Sequence, residues 1–498
     1  MSRSQSSPLL DEVRTLLTAT KEAYAGSEHD GLLGDVEDRL EDALRVAIAG
    51  KVKAGKSTLL NAMVGDELAP TDAGECTRIV TWYRHGIVYK VMMTPYGGRP
   101  IQVPFTRDAG AIEVDLGSRV VEDIEELTVE WPVRSLETMT LIDTPGIGSL
   151  STDVSARSVD FLAPDDEQTT PSDAVVYLMR HLHAGDVQFL HAFHEEEYAQ
   201  PSPVNCVAVL SRADEIAVGR LDAMDSAHKI ASRYSGDSRL RRLVQRVVPV
   251  AGLLAQAGAS LRELDFRRIQ QLGLAPESDV SALFLSTDRF IHGPTGVELD
   301  QTARAALLDR FGLYGVKLGS HLVRTGQVST ATELADELVK ASGIDDLREV
   351  LLTLFAGRSE TLKARSALLA IERLIEAAPN EHARALGAQL ERVHSGAHEF
   401  AELRLLNLLR AGELPLKADQ VTEIELLFGS RGTSLPMRLG MDPFASHDEI
   451  TEELFAVLAQ WRRRAESPMS SQPVVQASHI VTRTCERLYG ELAARQDI

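Results

Sequence analysis

The sequence predicts a two-part molecule: an α/β domain on a mixed, mostly parallel sheet, joined to an all-α helical bundle. Three observations predict it. Mostly apolar runs recur at Leu44–Ala49, Met139–Ile142, Ala174–Met179, Asn205–Leu210 and Val247–Val250, and that of Ala174–Met179 is unbroken, the pattern of a strand buried on both faces. The first run leads through Gly50-Lys51-Val52-Lys53-Ala54-Gly55-Lys56-Ser57, a glycine-bracketed turn, into the helical stretch Thr58–Val64. Beyond residue 260 apolar residues recur at helical spacing instead, as in Leu347, Val350, Leu351 and Leu354.

Residues 1–41 read as helices. Leu9, Val13, Leu16, Leu17, Thr20 and Tyr24 make one stripe, a Gly/Ser/His/Asp stretch breaks it near Gly26–Gly31, and Val36, Leu40 and Leu44 continue on one side. A helix placed before the first strand is not part of the sheet, so this stripe is expected to pack on helices from elsewhere, the last helix among them.

Residues 42–260 read as the α/β domain. The turn at Gly50–Ser57 has the form G-x-x-x-x-G-K-S in its required strand–loop–helix setting. Glycines let the backbone approach phosphates, and the helix amides and dipole favour an anion there. Gly50, Lys53, Ala54, Gly55, Lys56, Ser57 and Thr58 are therefore expected to bind a nucleotide. Lys56 would reach the β- and γ-phosphates and Ser57 would hold Mg²⁺. The loop Leu68–Arg78 then leads to the strand Ile79–Tyr83. This is the place of a first switch, where a threonine reaches the metal; Thr77 is the candidate, with Thr71 as competitor and a plain strand-edge threonine as the bland alternative.

Val88–Thr94, Ile101–Phe105, Ile112–Leu116 and Leu127–Trp131 read as antiparallel strands added to the sheet. They push the next motif, Asp143-Thr144-Pro145-Gly146, to nearly twice its distance in a small Ras-like domain. Asp143, ending an apolar strand, would hold Mg²⁺ through water, and the Gly146 amide would meet the γ-phosphate. No glutamine follows in Ile147–Leu150 to position water. The strand Asn205–Leu210 runs into Ser211-Arg212-Ala213-Asp214. A carboxylate at Asp214 would accept from N1 and N2 of guanine, which adenine cannot offer. The usual form is N-K-x-D or T-K-x-D, so Ser211 and Arg212 depart from it; Arg212 can lay its stem over the base. A helix-capping aspartate is the alternative. The Ala251 amide, after the last strand, is expected near guanine O6. The set describes a P-loop GTPase domain using GTP and Mg²⁺.

Residues 261–498 read as a helical bundle, from Leu347–Leu354 through Leu362–Ile375, Leu390–Leu409 and Leu454–Trp461 to Ile480–Leu492. Between two of its helices, Gly432–Phe444 mixes Arg438 with Leu, Met and Phe; it is a candidate membrane-contacting loop, with core packing as the plainer reading. Arg239/Arg241/Arg242/Arg246 and Arg462–Arg464 read as solvated faces.

Composition narrows the function. Lys+Arg is 52 against Asp+Glu 73, for a net charge of −21, so no nucleic acid is expected as partner. Three distant cysteines, Cys76, Cys206 and Cys485, exclude a disulfide framework or zinc ribbon. His181 and His183 lack ligand partners at coordinating spacing. No signal peptide is expected from MSRSQSSPLLDEVR, and no run reaches the ~18 apolar residues of a membrane span. Any membrane role would be peripheral.

The run AGKVKAGKSTLLNAMVGDELAPTDAGECTRIVTWYRHG, with IDTPG, LSRADEI, RFGLYG and WRRRAESP, resembles the dynamin superfamily of large GTPases, and within it the mycobacterial isoniazid-inducible IniC/IniA group of dynamin-like proteins. The resemblance covers most of the chain, and its GTPase motifs are far more specific than its helical part. It implies a GTPase head, a helical neck and trunk that associate with membrane, and head-to-head self-association or pairing with a related dynamin-like protein. It makes Thr77 the switch threonine. Lys53 stands where eukaryotic dynamins carry serine, and is either a cation that offsets transition-state charge or a solvent-exposed lysine. The expected activity is GTP hydrolysis coupled to membrane remodelling at the cytoplasmic, inner face of the plasma membrane, on anionic lipid. The alternatives are a GTPase switch of the Era or TrmE kind in ribosome or RNA maturation, which would carry a basic appended domain, and a weakly hydrolysing GTP-gated scaffold.

Overall fold

The computed structural model describes residues 7–69, 79–108, 111–117, 119–145, 172–195, 205–216, 220–432 and 434–494. Its strands are β1 (Leu44–Gly50), β2 (Val80–His85), β3 (Lys90–Pro95), β4 (Ile101–Gln102), β5 (Phe105–Asp108), β6 (Ala111–Val114), β7 (Ile124–Trp131), β8 (Met139–Asp143), β9 (Ala174–Met179), β10 (Cys206–Ser211) and β11 (Val247–Val250). Nine of them form one sheet in the order β11-β10-β9-β1-β8-β2-β7-β3-β4. From β11 to β8 every pairing is parallel, in keeping with their mostly apolar runs. β2 lies antiparallel to β8, and β3 antiparallel to both β7 and β4. The expected α/β fold class with added helices is thus found.

Two strand expectations are corrected. β7 runs parallel to β2, so the extension is mixed. β5 and β6 do not join the sheet; they pair with each other as a separate hairpin.

Successive residues of each strand point to opposite faces of the sheet, and helices cover both faces. Val46 and Ile48 of β1 join one hydrophobic cluster with the helix Lys56–Val64, the N-terminal helices Pro8–Ala23 and Asp30–Glu41, and the helices Ile344–Leu354, Ser359–Ala377 and Ala383–Gly396. Ala47 and Ala49 join a second cluster with Ala223–Ser235, Glu263–Leu274, Gln301–Arg324 and Ala331–Ala341. A third cluster, Leu405 to Leu492, belongs to the helices from His398–Ala411 onward.

The stripe on Pro8–Ala23 is covered by Ser359–Ala377 and Ala383–Gly396. Tyr24 Oη donates to the Ala378 carbonyl at 2.8 Å, and Asn380 Nδ2 to the Ala23 carbonyl at 3.1 Å. The last helix, Gln472–Ala494, packs chiefly on His447–Glu466, so the expected pairing of first and last helices gives way to these partners. A buried joint ties the N-terminal helices to the sheet. Asp173 accepts from Arg39 Nε at 2.7 Å, from Ser366 Oγ at 3.1 Å and from the Arg45 amide at 2.9 Å.

In the stretch 434–444 the apolar residues up to Met441 are buried or half-buried, and Asp442, Pro443 and Phe444 are exposed. Leu435 is buried in the third cluster with Leu439 and Met441 against it, and Arg438 Nε donates to the Leu427 carbonyl at 2.6 Å. Phe444 projects outward at 95 % exposure. Of the basic clusters, Arg239 pairs with Asp237, Arg462 with Glu486, and Arg464 lies over the Trp461 ring.

Candidate nucleotide site

β1 delivers the chain to Gly50 with φ 149, where a Cβ would stand 2.6 Å from the Leu178 carbonyl of β9. Only glycine passes there. Lys53 at φ 63 and Gly55 at φ 96 are left-handed, which curls the loop. Gly55 caps the helix Lys56–Val64 without a side chain, so its first amides remain available to an anion.

Three side chains meet at the mouth of this loop. Lys56 Nζ donates to the Gly50 carbonyl at 3.4 Å, and Ser57 Oγ donates to Asp143 Oδ2 at 3.2 Å. Asp143 Oδ1 is buried and has no hydrogen-bond partner. Burial lowers the pKa of the Lys56 ammonium, and the Asp143 charge opposes that shift. Burial likewise raises the Asp143 carboxyl, opposed by Lys56 and Ser57. Among the described residues no group of three or more His, Cys, Asp or Glu converges. An orphaned carboxylate oxygen beside a hydroxyl fits Mg²⁺, which takes one or two protein oxygens and completes its shell with phosphates and water.

The base side lies across the sheet edge. Ser211 Oγ donates to the Met179 carbonyl at 3.3 Å, bracing β10 to β9. Arg212, left-handed at φ 53, donates from Nη1 to Glu215 at 3.0 Å and from Nη2 to the Lys53 carbonyl at 3.3 Å. It thus clips the base loop to the phosphate loop, a contact that the motif's departure from lysine did not reveal. Burial raises the Asp214 carboxyl to about 6, with Glu215 adding and Arg212 and Arg180 opposing. Ala54, Gly55, Thr58, Leu178, Ser211, Arg212, Asp214, Gly252 and Leu253 line one cavity of about 160 Å³. The structure therefore brings the phosphate loop and the base loop to one pocket.

One expectation is corrected here. The Ala251 amide donates to the Ser342 carbonyl at 2.9 Å and is committed away from the pocket; Gly252 lines the pocket instead. The signal lay outside the motif, in the Ser342-Gly343 turn. Gly343, left-handed at φ 75, sits so close to the Pro249 carbonyl that a Cβ would collide with it.

Lys51 was missed by the motif. Its ammonium lies 2.9 Å from Asp186 Oδ1, a buried carboxylate that also accepts from Tyr177 Oη at 2.8 Å and from the His183 amide at 2.9 Å. Lys53 exposes its side chain. Thr77, its competitor Thr71, and Gly146 lie outside the described residues.

A model of the Dynamin family matches residues 46–191. The chain is 38 % identical to the isoniazid-induced protein IniC of Mycobacterium tuberculosis (strain H37Rv) over 493 residues, 98 % of this chain and 99 % of that protein. It is 28 % identical over 166 residues to a bacterial dynamin-like protein of Nostoc punctiforme, 29 % of this chain and 24 % of that one. Among solved structures, a subunit of an oligomerised bacterial dynamin pair aligns with 100 % of this chain and 76 % of its own at 12 % identity, with a TM-score of 0.35, a likeness too low to build on. Full-length similarity to IniC, with the family model over the phosphate loop and β8, places the chain in the dynamin family, as a dynamin-like protein of the IniC type.

Proposed function

We propose that this pocket binds GTP with Mg²⁺ and hydrolyses it, and that the cycle drives a conformational change of the helices for membrane binding and remodelling. The observation that carries the nucleotide reading is the single cavity shared by the phosphate loop and Asp214. Lys56 and the loop amides hold the β- and γ-phosphates, and Asp214 accepts from the guanine edge. Ser57, Asp143 (through water) and Thr77 would hold Mg²⁺, which would supply positive charge against the phosphates. The Gly146 amide reads the γ-phosphate. Lys53, exposed on the loop, supplies a cation toward the transition state. Positions 146–150 hold no glutamine, so the attacking water is oriented by backbone and the first-switch loop.

Support for the membrane half comes from the dynamin family and from helices that share clusters with both sheet faces. Among the described residues no helix is long and apolar enough to cross a membrane. The contact proposed is peripheral, at anionic lipid on the inner face of the plasma membrane. Heads associate with one another or with a related dynamin-like protein. The test of the site is Lys56→Ala. GTP binding and turnover should fall by about 100-fold or more. Retained turnover would refute the assignment.

A further inference from the structure

Behind two residues of the base pocket, Leu253 and Asp214, lies a helix that none of the GTPase motifs contains. The helix Gln301–Arg324 is capped by Asp300, whose carboxylate accepts from the Ala303 amide at 2.7 Å. Its helical backbone fails inside at Gly312, where φ is 62 and ψ 172, a region that is nearly glycine's alone. Both sides of this break are fixed. Arg310 donates to Asp265 Oδ2 at 2.8 Å and to Ser260 Oγ at 3.0 Å. Phe311 is buried, and a Cβ on Gly315 would stand 2.9 Å from Leu254 Cδ1.

The break lies beside two residues that line the pocket. A Cβ on Gly312 would lie 3.6 Å from Leu253 Cδ2 and 3.8 Å from Asp214 Oδ2, and both of those residues line the cavity. These are ordinary van der Waals distances. Space for one methyl therefore exists, but that methyl would grow between the carboxylate and Leu253. The proximity extends to Tyr314, whose hydroxyl is pushed up to about 12 by burial, with the Asp214 and Asp225 charges adding.

We propose that Gly312 is a specificity-determining position of the base site: the break and the missing side chain keep open the edge where the Asp214 carboxylate meets guanine. The proposal rests on the reading that Asp214 selects guanine. The purine 2-amino group, directed at the carboxylate, needs this space most. Inosine lacks that group and needs it least.

The test is a titration of fluorescent GDP, competed by inosine diphosphate and ADP, on the full chain with thermal melting as a check of folding. Gly312→Ala should lower GDP affinity about tenfold and inosine diphosphate affinity less, so that the preference between them shrinks. Leu253→Phe fills the same space from the opposite side without touching the strained backbone, and should shrink the preference in the same direction. Equal losses for both nucleotides in the two variants, or no loss in either, would overturn the proposal. A wild-type chain that does not prefer GDP to ADP, with Asp214→Asn indistinguishable from it, would instead overturn the guanine reading beneath it.

Discussion

At the phosphate loop, a half-buried ammonium, a buried carboxylate and a hydroxyl occupy one corner, and Asp143 Oδ1 has no partner of its own. Asp214 presents a related problem on the base side. Its carboxyl titrates near 6, above the ordinary 3.8, because it is buried, with Glu215 beside it and Arg212 and Arg180 in partial opposition. Between those two pH values the folded chain holds a proton that the unfolded chain has lost. This group therefore makes the nucleotide-free fold less stable as pH rises from 3.8 to about 6, and the deficit persists above. Asp214→Asn removes the deficit, so the variant should melt above wild type at pH 7.5, and the gap should close toward pH 4. A gap independent of pH would contradict the assignment. The same proton competes with guanine, so GDP affinity should fall as pH drops below about 6. In the variant two charge-assisted hydrogen bonds are weakened, each worth about 1.5–3 kcal/mol, and GTP affinity should drop ~100-fold with weaker exclusion of xanthosine nucleotides. Unchanged base preference in a competition titration would refute the role.

At the scale of elements, the parallel strands were legible because burial on both faces favours near-continuous apolar runs, and Val46–Ala49, Ala174–Met179 and Cys206–Leu210 supply them. The phosphate loop was legible because its glycines serve backbone needs that no other residue meets. Gly50 shows this: Gly50→Ala would drive a Cβ into the Leu178 carbonyl. It should cost about 1–3 kcal/mol in a denaturant melt and should also weaken nucleotide binding; a neutral melt would contradict the geometry. What was not legible depends on partners far away in sequence. The hairpin β5–β6 alternates like a sheet strand, yet pairs only with itself. The Ala251 amide looked free by position, until the Ser342 carbonyl reached it. Arg348 is a further case. It donates from Nη2 to the Ala62 carbonyl at 2.7 Å, capping the far end of the helix that begins at Lys56. A cation there complements the helix dipole, and Arg348→Ala should lower stability by about 1–2 kcal/mol.

Across the whole molecule, the nucleotide pocket is wired to the helices at several points. Ser342 holds the Ala251 amide, Arg348 caps the phosphate-loop helix, and Asp173 joins β9's entry to Arg39 and Ser366. The boundary drawn near residue 260 runs through a shared cluster, since helices as far as Ala331–Ala341 bury the second face of the sheet. Periodicity could show that those helices are amphipathic, but not which surface they cover. Asp173→Ala would leave the buried Arg39 charge without its carboxylate, at about 3–5 kcal/mol, and should separate the melting of the N-terminal helices from that of the sheet. A single unchanged transition would contradict that joint. Such wiring gives a GTPase cycle a mechanical route into the helices. The most direct test of that account is GTP turnover per chain at increasing protein concentration, with and without anionic vesicles. The account predicts a rate that rises with both. A rate insensitive to both would contradict it.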